Sequence, residues 1–511
     1  MAEPAAKEIL MVTLNDLNKH KSKSDCWIAV HSKVWDITNF VDEHPGGPSV
    51  LLKCAGLDAT QSFDEAHAPD MLEEMPKGSF IGVLQEPLPI SSPQAAQAPP
   101  PIITAAPTPA PVAVVPEPTT SKEGGSVPDL ESIIGAPDFE LAASKALAAK
   151  TWAFYSSAAT DLVTHTKNKE LLRRVMIRPR ILKNVLNVDY RTSILGHKTK
   201  APFFISPTAM ARLAHPDGEL ALARAAASEG IIQCISSNAS YTLRSIISAA
   251  PPDQPFFFQL YVNSDRQKTI ELLKMARELG VKAVFVTVDA PVPGKREADE
   301  RAAQAVKIKS AISGGESSKD KKGSGLGRLM AQYIDKSLCW EDLAWIREAC
   351  GVPIVLKGVQ TAEDVKKAVS HGVDGVLLGN HGGRSLDGSP ASILVLLELR
   401  KVCPEVFGSL EVYVDGGFER GSDILKAIAL GATAVGIGRP YLYSLVYGQD
   451  GAEHLTQILK DEIETSMRLC GITSLEEATA RLVNTRDIDH LVNLEDQEMD
   501  VIVRKSRVSK L

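Results

Sequence analysis

The stretch GVLLGNHGGR (375–384) is a short, almost continuous apolar run that ends in glycines around a histidine. Such a run is expected of a parallel strand buried on both faces. Seven others share its form: FFISP (203–207), IIQCIS (231–236), FFFQLY (256–261), VFVTVD (284–289), IVLKG (354–358), VYVDGG (412–417) and AVGIG (434–438). Between most of them lie amphipathic helix patterns, such as DRQKTIELLKMARELG and TAEDVKKAVSHG, each closed by a glycine that suits a helix C-terminus. Eight strands with helical crossovers predict an α/β fold of the closed (β/α)8 type, the TIM barrel, rather than an open doubly wound sheet. A dinucleotide fold would carry GxGxxG after an early strand, and none occurs.

A chain of 511 residues exceeds one ordinary domain. Its 44% apolar and 23% charged content is that of a soluble globular protein. A net charge of -7 argues against a nucleic-acid partner, and no stretch approaches the roughly 20 apolar residues of a membrane span. The seven cysteines are scattered, never in CxxC, which fits reduced thiols and gives no zinc signature. The ending Ser509-Lys510-Leu511 is the peroxisomal tripeptide, so a peroxisomal address is expected, with the cytoplasm as the alternative.

Four segments are expected. Residues 9–85 form a small α+β domain, and 86–128 a linker in which Pro87 to Pro118 hold 11 prolines in 32 residues. Residues 129–490 form the barrel and 491–511 a tail. After the fourth strand, 297–335 is polar and rich in Gly, Ser and Lys, and reads equally as a passive insertion or a gate.

In the first domain, His44 sits in a His-Pro-Gly-Gly turn and His67 ends the stretch QSFDEAH. Two histidines on opposed loops can ligate iron from both faces of a haem. An isolated pair would more often be ordinary surface residues; the HPGG turn makes this one specific. With CWIAVHSKVWDITNFVDEHPGG before it, the segment resembles a cytochrome b5-type haem domain, which implies haem b with His44 and His67 as axial ligands.

In the barrel, Tyr261, Thr287, Asp289, Lys357, Asp415 and the Asn380–Arg384 segment all fall at C-terminal strand ends, where barrel active sites lie. Each alone could be a packing or capping residue; together they are hard to obtain from packing. Oxidation of a 2-hydroxy acid needs a base near neutral pKa, for which His381 is the candidate, with Asp289 to orient it. Arg384 can grip a carboxylate bidentately, and Lys357 places positive charge beside a reduced flavin. The loops DGGFERGSD (415–423) and GIGRP (436–440) offer glycine amides and Arg439 for one phosphate, which points to FMN rather than a dinucleotide.

Residues 129 to about 490 resemble the FMN-dependent α-hydroxy acid oxidase and dehydrogenase family, on GNHGGRSLDG (379–388), QLYVNSDR, FVTVDAP, IVLKGVQ and IGRP. The resemblance implies His381 as base, Asp289 as its partner, Tyr261 on the substrate hydroxyl, Arg384 on its carboxylate and Arg296 nearby. It also implies FMN contacts from Ser206, Pro207, Thr208, Ala209, Ser236, Gln259, Thr287, Lys357, Asp415, Gly416, Gly417, Gly438 and Arg439, and a homotetramer. The expected activity is oxidation of an (S)-2-hydroxy acid, lactate-like or longer, by FMN, with electrons passing through haem to an external acceptor. A peroxide-forming oxidase using oxygen and a haem carrier with an inactive barrel are the alternatives.

Three positions depart from the family. Phe154 stands where a tyrosine helps hold the substrate carboxylate, which is either a tolerated loss or a less polar pocket for a longer acid. Asn238 replaces an apolar or aromatic pocket residue. Glu419, in DGGFERG, stands where an arginine faces the FMN phosphate; a carboxylate there would repel the phosphate unless it turns away, with Arg420 and Arg439 to compensate.

Overall fold

The eight runs form a closed, all-parallel barrel: β1 (Phe203–Ile205), β2 (Ile232–Ser236), β3 (Phe256–Leu260), β4 (Ala283–Thr287), β5 (Ile354–Val359), β6 (Gly375–Leu378), β7 (Glu411–Asp415) and β8 (Ala434–Ile437). Neighbours pair in chain order and β8 returns to β1. The computed structural model describes residues 10–41, 44, 51–52, 54–60, 62–63, 72, 78–85, 127–302, 310–314 and 325–492. These fall in two units, Met1–Gly124 and Gly125–Leu511.

Strand alternation sorts each run into two faces. Phe203, Ile205, Phe256, Phe258, Val284 and Val286 belong to the layer shared with the surrounding helices. Their neighbours Phe204, Cys234, Phe257, Phe285, Val355, Leu377, Tyr413 and Ala434 form a separate cluster inside the barrel. Phe204 on β1 lies 5.9 Å from Phe285 on β4, a contact only possible across the interior. The hairpin Thr192–Ile194/His197–Thr199 closes the N-terminal end, adding Ile194 to this cluster and donating the Leu195 amide to Glu411 at 3.1 Å. Two positions further along each strand the same face carries Ser206, Ser236, Gln259, Thr287, Lys357, Gly379, Asp415 and Gly436. An apolar plug thus gives way to a polar layer at the C-terminal mouth.

The crossover helices follow the pattern read from their sequences. Arg266–Glu278 buries Thr269, Leu273 and Ala276, one stripe of a helix. Ala362–Ser370 buries Ala362, Val365 and Ala368, and is capped by the Thr361 hydroxyl, which accepts from the Asp364 amide. Two helices before the barrel, Ala149–Ser156 and Val163–Arg174, contribute side chains to the mouth. After β4, a buried ion pair between Lys150 and Asp299 (2.9 Å) anchors the helix Glu297–Arg301. Asp299 also accepts the Gly327 amide at 3.0 Å, tying down the far end of the loop. Residues 303–309 and 315–324 of that loop lie outside the described residues.

The N-terminal unit holds a five-stranded sheet in the order Leu10–Val12, Phe80–Leu84, Lys33–Asp36, Asp25–Val30, Lys21–Ser22. Alternation again divides it: Cys26, Ile28 and Val30 face a core with Trp35, Ile37 and Phe63, whereas Ala29 faces Val12, Leu17, Val34 and Leu84. No helix among the described residues is long and apolar enough to cross a membrane.

Candidate active site

A cleft opens at the polar mouth of the barrel. Every barrel residue assigned from the sequence to a catalytic, substrate-binding or FMN contact lines it except Asp289, which hydrogen-bonds His381. Gln259 knits three strands together: its Nε2 donates to Thr287 (2.9 Å) and its Oε1 accepts from the Ser236 hydroxyl (3.2 Å) and the Ser237 amide (3.2 Å). Opposite, Lys357 Nζ lies 3.6 Å from Asp415 Oδ2. Burial works against the lysine charge, but the Asp415 and Asp289 carboxylates outweigh it and hold its pKa above the ordinary lysine value.

His381 is presented by a strained turn. Its φ is 59°, and Gly382 and Gly383 follow at 65° and 77°; left-handed backbone costs a non-glycine residue about 1–2 kcal/mol. Gly383 could not be otherwise, because a Cβ there would lie 2.7 Å from the His165 amide nitrogen. The turn is pinned by buried Asn380, which exchanges amide hydrogen bonds with Asn168 (2.8 Å each way) and accepts the Gly383 amide at 3.0 Å.

The imidazole is held from both sides. Nδ1 lies 3.1 Å from Asp289 Oδ1 and Nε2 lies 3.1 Å from the Tyr261 hydroxyl. A carboxylate only accepts, so Nδ1 carries the proton and Nε2 is the basic nitrogen. Burial lowers the His381 pKa, against the pull of Asp289. For Asp289 the balance runs the other way: burial would raise it, but His381 and Lys357 keep it below the ordinary carboxylate value. Burial, then Asp289, pushes the Tyr261 phenol up, so it stays protonated.

Three guanidinium groups line the same cleft. Arg384 donates to the carbonyls of Phe154, Tyr155 and Ser157. Arg439 donates to Tyr155 O (3.1 Å), Gly382 O (3.0 Å) and Ser157 O (3.0 Å). Arg296 lies over the Phe154 ring at 5.9 Å, and its Nε has no hydrogen-bond partner. Burial, and then mutual repulsion, depress the Arg384 pKa well below the ordinary arginine value. That positive field suits anions. Asn238 meets the post-β4 loop: its Oδ1 accepts from Ser313 (2.6 Å) and Tyr333 (3.0 Å).

Glu419 lines the cleft beside the glycine loop, but it is neutralised: Lys169 Nζ lies 2.6 Å from its Oε1 and 3.2 Å from Glu140 Oε2. Arg420 turns elsewhere, to Glu462 at 2.8 Å. The cleft fits FMN. Ser206 Oγ and Asp415 Oδ1 are buried without partners, and a Cβ on Gly438 would meet nothing nearer than 3.8 Å, leaving that backbone open to a ligand. In the N-terminal unit, His44 is 9% exposed and sits edge-on to Phe40 at 5.7 Å; its imidazole is the donor type that haem iron takes. His67 lies outside the described residues.

Sequence reading missed Tyr155, His165, Asn168 and Lys169. They come from the two helices before the barrel, and nothing in local pattern marks them; only the closure of the chain brings Asn168 to Asn380, 212 residues on.

Comparison with known proteins places these features. Residues 143–485 match the FMN-dependent dehydrogenase family and residues 13–85 the cytochrome b5-like heme/steroid binding domain. L-lactate dehydrogenase (cytochrome) of Wickerhamomyces anomalus is 39% identical over 481 residues, covering 92% of this chain and 79% of that protein. The Saccharomyces cerevisiae enzyme of the same name is 40% identical over 482 residues, with the same coverages. Glycolate oxidase of Spinacia oleracea is 41% identical over 347 residues, 66% of this chain and 92% of that protein. Among solved structures, a flavocytochrome b2 mutant with pyruvate bound aligns with a TM-score of 0.65 and 42% identity, covering 74% of this chain and 93% of that one. These relatives correct the peroxisomal address expected from Ser509-Lys510-Leu511. Those that span both domains are cytochrome-linked L-lactate dehydrogenases, whereas a relative named as a peroxisomal (S)-2-hydroxyacid oxidase, from Arabidopsis thaliana, matches only 70% of the chain. The tripeptide itself lies outside the described residues.

Proposed function

The chain belongs to the FMN-dependent dehydrogenase family, and on that premise we propose that His381 is the base with which it oxidises an (S)-2-hydroxy acid to the 2-oxo acid. When bound at the mouth of the barrel, FMN supplies an acceptor for the substrate's electron pair, and the b-type haem a one-electron relay to an external acceptor. Ser206 to Ala209, Ser236, Gln259, Thr287, Lys357 and the loops at Asp415–Gly417 and Gly438–Arg439 would hold FMN. His44 and His67 would hold the haem iron.

The chain's own residues do the rest. Neutral His381 takes a substrate proton at Nε2, while Asp289, on Nδ1, favours the imidazolium that results. Tyr261, kept protonated by its burial, hydrogen-bonds the substrate hydroxyl. Arg384 and Arg296 attract the carboxylate and fix which face of the substrate meets the base. Lys357 keeps a positive charge beside the flavin. Phe154 presents an apolar ring and Asn238 an amide to the same pocket, which suits acids of lactate size or longer. Four such chains would form the homotetramer, a size that sedimentation measures.

The observation that carries this reading is the Asp289–His381–Tyr261 hydrogen-bonded chain, whose His381 and Tyr261 line the same cleft as Arg296, Arg384 and Arg439. The test is a panel of 2-hydroxy acids of rising length, mixed anaerobically with the holoenzyme. Bleaching of the flavin followed by reduction of the haem is expected for at least one chain length. A panel that leaves both cofactors oxidised rules the reading out.

A further inference from the structure

At the glycine-loop end of the cleft, the charges do not match an incoming phosphate. Lys169 and Arg439 are positive and Glu140 and Glu419 negative, and all four line the cleft. The formal sum is zero, whereas a phosphate monoester carries about -1.5 to -2 at neutral pH. Arg439 is largely committed: of a guanidinium's five N–H groups, its bonds to Tyr155, Gly382, Ser157 and His165 occupy four. Arg420 is held by Glu462. His165 is no cation either, since burial, with Arg439 and Lys169 nearby, lowers its pKa to about 4.

We propose that Lys169, released from Glu419, is the cation that joins Arg439 in receiving the FMN phosphate, and that Glu419 sets how tightly the phosphate is held. This rests on the FMN reading above. The backbone places Lys169 for the task. A Cβ on Gly417 would lie 2.7 Å from the Asn168 carbonyl carbon, so the helix Val163–Arg174 presses directly on the loop that follows β7. The next residue along that helix is Lys169, whose ammonium already stands 2.6 Å from Glu419. It is only 27% exposed, and Glu419 14%, so the pair is poorly screened by solvent. Phosphate binding exchanges one anionic partner of Lys169 for another and leaves Glu419 facing a like charge. The carboxylate therefore opposes the phosphate, and the lysine holds it.

The test uses the full chain stripped of flavin and titrated with FMN or with riboflavin, which lacks the phosphate, following quenching of flavin fluorescence. Lys169→Met is expected to raise the FMN Kd by about tenfold or more, the loss of one charge-assisted hydrogen bond, with the riboflavin Kd unchanged. Glu419→Gln is expected to lower the FMN Kd and again to leave riboflavin alone. An unchanged FMN Kd in Lys169→Met, or equal weakening of both flavins, overturns the proposal. Should Lys169→Met fail to fold, the Glu419→Gln arm decides: unchanged or weaker FMN binding in that variant overturns it. Wild-type protein that binds neither flavin would instead bring down the FMN reading itself.

Discussion

Asp289 places Oδ1 3.1 Å from His381 Nδ1 while its side chain is fully buried and its other oxygen has no partner. That carboxylate hydrogen-bonds the imidazole and also acts on Lys357 and Tyr261 through its charge. Asp289→Asn removes the charge that raises the His381 pKa, leaving the burial that lowers it. The acid limb of kcat/KM, where His381 gains its proton and activity falls, is therefore expected to move to lower pH. With the imidazolium no longer stabilised, kcat should fall by roughly 10²–10⁴. A pH profile measures both; an acid limb that stays in place or moves up contradicts the assignment.

Gly383→Ala tests the turn that presents His381. Its Cβ would meet the His165 backbone at 2.7 Å with φ at 77°, so a loss of at least about 1–3 kcal/mol is expected. Thermal melting followed by flavin release reads it, and a Tm within error of wild type would show the turn to be less constrained.

Phe154→Tyr restores a hydroxyl beside Arg296. One hydrogen bond to an anion is worth about 1.5–3 kcal/mol, so the KM for lactate-sized acids should fall about tenfold. Steady-state kinetics with short and long acids measures this. An unchanged KM would mean that the hydroxyl cannot reach the carboxylate.

Lys357→Met leaves buried Asp415 without its counter-ion, at a cost of about 3–5 kcal/mol. Because the folded-state pKa of Lys357 lies above the ordinary lysine value, the lysine keeps its charge up to about pH 10 and that side of the pair is lost only above it. Burial raises the Asp415 pKa and so sets the acid side. Denaturant titrations should therefore show a gap between wild type and variant that holds from neutral pH up to about pH 10 and narrows toward acid, where Asp415 takes a proton. A gap that closes as the pH rises from neutral would contradict the pairing.

The barrel was legible because alternation and turn chemistry are local. The step from Phe257 to Gln259, Phe285 to Thr287, Val355 to Lys357 and Tyr413 to Asp415 marks, in each strand, where the apolar plug ends and the mouth begins. His381, Asp289 and Tyr261 follow directly from strand ends. Lys169, His165 and Asn168 could not be read the same way, because they reach the mouth from a helix that precedes the barrel. That is also why the sequence offered Arg420 and Arg439 to compensate Glu419 and not its ion-pair partner, which lies 250 residues earlier, at Lys169. Arg420, the nearer candidate by sequence, turns to Glu462 instead.

The most direct test is His381→Gln, carrying both cofactors, mixed anaerobically with a 2-hydroxy acid that bleaches the wild-type flavin. Flavin and haem absorbance should show both groups bound, and neither should be reduced over the time in which wild type is fully bleached. Flavin reduction in His381→Gln at a rate near that of wild type would contradict the claim that His381 takes the substrate proton.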